Sequence, residues 1–232
     1  MIDLQRFLLI YVVQSIVSII FFIVAIKILK RNKNQLTYSL SLFYFSVVIG
    51  LIINAIYTQL KINPQVFILH TITIFFILFG QFFLVMFSLS LFKLESHLSS
   101  RRIVFYTSIY SILVLCILAI PDGYAINENT NWKPVWTWSF LIIIYIFMAC
   151  FTIFPFIILF LKIYKTFMEK ELKRKLMYFF IGFCGMTISM CGGMLYNTWD
   201  NVIFRLIWSF CVIFIVIPSG ILIYYGIGSK LK

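Results

Sequence analysis

Residues 66–92 read VFILHTITIFFILFGQFFLVMFSLSLF, a run without a single Asp, Glu, Lys or Arg. About 20 apolar residues in a helix cross the hydrocarbon of a bilayer, so this stretch suffices by itself. Its Ile, Val and Phe content would suit a strand in water. In lipid no water pairs with the backbone, each segment bonds within itself, and a helix is expected instead. Six further runs flank it: Phe7 to Leu29, Tyr38 to Leu60, Ile103 to Ile120, Phe140 to Leu161, Tyr178 to Asn197 and Val202 to Ile227. The alternation over roughly ten residues that marks a membrane barrel is absent.

Composition agrees. Apolar residues make up 63% and charged residues 11% of the 232-residue chain, against roughly half and a quarter in soluble domains. The longer connections, Pro121 to Thr137 and Lys162 to Met177, are too short for a separate soluble domain. One all-α membrane domain of seven transmembrane helices is expected over residues 1–232. The N-terminus carries Asp3 where a cleavable signal would be basic, so the first span is expected to remain.

The basic residues set an orientation. Fifteen fall on one side, in the groups Lys27 to Lys33, Lys93 to Arg102, Lys162 to Lys175 and Lys230 to Lys232. Only Arg6, Lys61, Lys133 and Arg205 fall on the other. By the positive-inside rule the N-terminus is expected outside and the C-terminus in the cytoplasm of a cell-membrane protein. With Asp3, Asp122, Glu128 and Asp200 outside, and Glu95, Glu169 and Glu171 inside, the outer face is neutral and the whole +12 lies inside. Such a balance points to anionic lipid at the cytoplasmic face and not to nucleic acid. Trp132, Trp136, Trp138 and Trp199 are expected as an aromatic belt at the outer boundary. All five cysteines fall within spans, which argues against a disulfide framework.

Several chemistries lack their residues. No span contains Asp or Glu, the usual proton and cation relays at membrane depth and the pair an aspartyl protease needs. No H-E-x-x-H zinc pattern occurs. His70 and His97 cannot both reach a haem in the bilayer, and the last span has no lysine for a retinal Schiff base. Neither enzymatic machinery nor a cofactor or metal is expected. Met186, Met190 and Met194 recur at four-residue spacing beside Cys184 and Cys191, soft ligands that suit Cu(I). No Met- or His-rich outer tract gathers metal, so gap-filling methionines are the preferred reading.

The polar residues within the spans gather in the outer half. Gln14, Asn54, His70, Gln81, Asn197 and Arg205, with Trp208 three residues on, form a candidate ligand pocket if they face inward. Arg205 would be its anchor for a carboxylate or phosphate. The alternative is packing by interhelical amides and an Arg205 that snorkels to the headgroups. Candidate partners for Arg205 at similar depth are Asn197, Gln14, Asn54 and His70, while Asp200, five residues earlier, is expected off its helical face. Gly185, Ser189 and Gly193 read as a close-approach face on the sixth helix. Pro155 and Pro218 are expected to kink the fifth and seventh.

Three features carry a resemblance. Lys173-Arg174-Lys175 leads into a sixth helix containing Ile181-Gly182, a Trp-rich segment precedes the fifth span, and the last span ends in Ile221-Leu-Ile-Tyr-Tyr-Gly-Ile227. With seven helices and an outside N-terminus, the chain resembles the seven-transmembrane N-terminal sensor region of membrane-bound histidine kinases. The resemblance implies the fold and a sensory role. The sequence departs from that family in stopping at Lys232 without a kinase module, so signalling is expected through cytoplasmic loops, a cytoplasmic signalling partner or a homo-oligomer. A small transporter or channel for an anionic or lipid-like molecule, and a structural subunit of a membrane complex, are the other readings.

Overall fold

The computed structural model describes residues 7–31, 34–92 and 99–226. Asp3, Arg6, Lys33, Lys93, Glu95, His97, Ile227, Lys230 and Lys232, all used above, lie outside these described residues. Among the described residues are seven helices long and apolar enough to cross a membrane. They are α1 (Leu8–Arg31), α2 (Gln35–Tyr57), α3 (Gln65–Phe92), α4 (Ser100–Leu118), α5 (Trp138–Thr166), α6 (Lys170–Thr198) and α7 (Val202–Gly226). The bundle is helical with one exception. Between α4 and α5, β1 (Tyr124–Ala125) pairs antiparallel with β2 (Val135–Trp136), Tyr124 opposite Trp136. This small hairpin marks one end of the bundle. The other end carries Lys30, Arg31, Arg101 and the basic start of α6.

Local chemistry accounts for the helix limits. Asn34 caps α2 in a reciprocal box, accepting from the Thr37 amide at 2.8 Å while the Thr37 hydroxyl accepts from the Asn34 amide at 3.0 Å. Asn201 caps α7, its side-chain oxygen accepting from the Phe204 amide at 2.9 Å. The long connection expected over Lys162 to Met177 is largely helix: α5 runs on to Thr166 and α6 starts at Lys170. Lys, Glu, Leu, Arg and Met are good helix formers, and Glu171 pairs with Lys175 at 2.7 Å across one turn. Pro155 follows a π-helical turn, Ala149–Ile153, and α5 continues past it as one helix. The wider turn absorbs the proline ring and its missing N–H.

Helix α3 is the axis of the bundle. Every residue from Gly80 to Ser88 is buried, as for a helix with neighbours on all sides. Two apolar cores lie along it. In the basic half, Phe21 of α1, Phe43 and Tyr44 of α2, Phe87 of α3, Phe156 of α5, Phe183 of α6 and Ile223 of α7 pack together. In the hairpin half the core joins α3, α4, α5 and α6 with Tyr57, Tyr124 and Trp136, and contains no residue of α1 or α7.

That division shows in α7. Ser219, Gly220, Ile223 and Gly226 are buried, whereas none of the residues from Val202 to Pro218 is. Gly220 seats the Phe21 ring so closely that a Cβ there would lie 2.3 Å from a ring carbon. A Cβ on Gly182 would lie 2.6 Å from the Ser219 carbonyl oxygen. The close-approach face expected from Gly185, Ser189 and Gly193 is therefore only half realised. Gly185 meets Ser219, but a Cβ on Gly193 would meet nothing within 4 Å. Helices α6 and α7 stay in contact here, since Gly192 makes room for the Trp208 ring, while Gly193 faces the cavity described below.

Candidate functional site

Where α1 and α7 leave the core, a cavity of about 660 Å³ opens, within the roughly 300–1,000 Å³ of small-molecule sites. All seven polar or aromatic candidates, Gln14, Asn54, His70, Gln81, Asn197, Arg205 and Trp208, line it. They come from five helices. An i, i+3, i+4 stripe on α7 (Val202, Arg205, Trp208, Val212, Val216) faces Leu9, Val13 and Val17 of α1. Met186, Met190 and Met194 supply the α6 wall, beside Ser189 and Gly193. Asn129, Thr130, Asn131, Lys133, Pro134 and Val135 of the hairpin segment line the mouth.

The candidates differ in what already holds them. Asn54 Nδ2 donates to Gln14 Oε1 at 2.7 Å, an amide clamp between α2 and α1. His70 is buried and engaged at both nitrogens. Trp136 Nε1 donates to Nε2 at 3.2 Å, and Tyr57 Oη lies 2.9 Å from Nδ1. An indole N–H only donates, so Nε2 is the acceptor and Nδ1 of a neutral ring carries the proton toward Tyr57. His70 thus fastens the hairpin to the bundle. Thr71 adds a second fastening. Its hydroxyl donates to the Phe67 carbonyl and so accepts from Tyr124 Oη. Burial pushes the Tyr124 phenol above its ordinary pKa, and it stays a protonated donor at neutral pH.

Trp136 departs from the expected aromatic belt. It is buried, with its ring against Phe140 at 5.1 Å, because its N–H has an acceptor inside the bundle. Trp138 and Trp199 are exposed, as a belt requires.

Arg205 overturns the expectation about its partners. Its Nε donates to the Tyr196 carbonyl at 3.2 Å, its guanidinium lies 5.5 Å from the Tyr196 ring, and Nη1 meets Asp200 at 2.6 Å. Asp200 precedes α7 in the turn Trp199–Asn201, so helical spacing does not govern it, and the turn folds its carboxylate back over Arg205. Asp200 itself is 89% exposed. An exposed pair of this kind contributes about 0–1 kcal/mol, and the guanidinium retains donors beyond the two in use.

Gln81 is the one candidate with an unmet need. It is buried, it lines the cavity, and its Oε1 has no hydrogen-bond partner. A buried unsatisfied oxygen costs about 1–3 kcal/mol. Rotation about its last, soft torsion presents either amide atom to the cavity. The sequence signalled these seven positions by polarity at depth. It did not signal Tyr57, Tyr196, the inward placement of Trp136 or the mouth segment, whose roles arise from contacts between separate elements.

The chain matches no protein-family model, no characterised protein and no solved structure.

Proposed function

We propose that the protein is a receptor-like sensor in the cell membrane, N-terminus outside, which binds a small ligand or lipid in the hairpin-half cavity. The basic residues at the opposite end support this orientation. One observation carries the receptor reading: a largely apolar cavity lined by α1, α2, α3, α6 and α7, with the unpartnered Gln81 oxygen in its wall. A ligand that draws α1 and α7 together, or spreads them, shifts their angle about the Phe21–Gly220 contact. The shift reaches the cytoplasmic ends near Arg31 and Gly226, where a signalling partner or a second copy reads it. The filled basic half, with Phe21, Phe43, Tyr44, Phe156 and Phe183 all buried, favours a receptor over a transporter, which needs a path onward.

Labelling tests the orientation: Asn127→Cys should react with an impermeant reagent from outside and Lys170→Cys only after the membrane is opened. The receptor reading is tested by a thermal-shift screen of water-soluble compounds on protein in nanodiscs, wild type against Gly193→Phe. Compounds that raise Tm in the wild type alone are expected, with no solute flux in proteoliposomes. Flux, or the lack of any compound sensitive to residue 193, would overturn it.

A further inference from the structure

The cavity has a polarity gradient. At its mouth lie Arg205, Asp200, Asn197 and the hairpin segment. Below them the walls are Val212 and Val216 of α7, Val13 and Val17 of α1 and the three methionines of α6. From Arg205 to Val216 the helix rises roughly 16 Å, the length of an extended chain of about a dozen carbons. Methionine side chains are flexible and polarizable and adapt to a ligand that is itself flexible. The wall between α1 and α7 is incomplete. Neither helix contributes to the hairpin-half core, and no α7 residue is buried above Ser219. That seam faces the bilayer if the helices span it. At the mouth Arg205 is fixed by the Tyr196 carbonyl but spends one donor on an exposed carboxylate, which a ligand oxyanion can replace.

Resting on the receptor reading above, we propose that the ligand is a single-chain amphiphile with an oxyanion head, drawn from the surrounding leaflet through the α1–α7 seam. Its carboxylate or phosphate displaces Asp200 from Arg205, its chain lies along Met186, Met190 and Met194, and a polar substituent on the chain would find Gln81. Asp200 acts as a gate anion that holds Arg205 in place when the site is empty.

The test uses the full chain in phosphatidylcholine nanodiscs. The probes are 2-bromododecanoate and 2-bromododecanol, whose bromine lies beside the head group and quenches tryptophan on contact, and butanoate as a water-borne competitor. Trp208 lines the cavity, and the saturable part of the quenching is the part lost in Gly193→Phe. For the acid, Asp200→Asn should raise affinity severalfold and Arg205→Gln should lower it tenfold or more, while the alcohol changes less than twofold in either. Asp200→Asn keeps the test valid if Arg205→Gln folds poorly, since a purely structural clip would not tighten binding when broken. Equal saturable binding of acid and alcohol, indifferent to residues 200 and 205, would overturn the oxyanion head and leave the receptor reading standing. Competition by butanoate at the acid's own affinity would overturn the chain and the leaflet route. No saturable quenching would overturn the proposal outright, and the receptor reading would then stand or fall on the soluble-compound screen.

Discussion

The two halves of the bundle use the same helices and differ in how α1 and α7 meet the rest. In the basic half, glycines let backbones and rings approach. Gly220 seats Phe21, Gly182 meets Ser219, and the Tyr44 hydroxyl donates to the Gly220 carbonyl at 2.7 Å. In the hairpin half, Gly193 of α6 faces open space and α7 has no buried residue. One glycine fits against a neighbour and the other borders a void, on helices of similar composition. A small residue is thus evidence of space beside a backbone, and whether a helix or a cavity fills that space depends on the neighbour's direction.

Substitutions can break this contrast in graded steps. Gly220→Leu should have the largest effect. It forces atoms into the Phe21 ring and should cost about 3 kcal/mol or more, the upper end for overpacking. Thermal unfolding in detergent would read this as a large fall in Tm, and an unchanged Tm would mean that α1 and α7 are not joined there. Trp136→Phe removes the N–H that satisfies His70 Nε2 and should cost about 1–3 kcal/mol. The loss should stay local, with faster hydrogen exchange over residues 124–136 and little change in the basic half. Tyr44→Phe deletes one interhelical bond to Gly220, worth about 0.6 kcal/mol on average between membrane helices. A small drop in midpoint at unchanged cooperativity is the expected result. Gly193→Ala should move stability by no more than about 1 kcal/mol and in the favourable direction, since alanine suits a helix better than glycine and its Cβ meets nothing. A marked loss at Gly193 would close the cavity and erase the difference between the halves.

Much of this was legible from residue order. The seven helices fall where the apolar runs do, because runs of that length and composition leave the backbone no other partner, though α5 ends five residues later and α6 starts eight residues earlier than the runs themselves. Six of the seven candidate site residues were legible as polar groups gathered in one half of the spans, with Trp208 beside Arg205, and all seven line one cavity. Their partners were not. His70 is bound by Trp136, sixty-six positions away in sequence, and Arg205 by a carboxylate that helical spacing would have placed elsewhere.

The sequence by itself determined which segments are helices and that their charges gather at one end. Those properties follow from local hydrogen bonding and from composition, which act within a segment. Only the tertiary structure decided that α1 and α7 join the core in one half and leave it in the other. It also decided that Gly185 is filled and Gly193 empty, that Asp200 returns to Arg205, and that Gln81 faces the cavity without a partner for Oε1. Crossing angles and turns set these outcomes, and they depend on the packing of every neighbour at once.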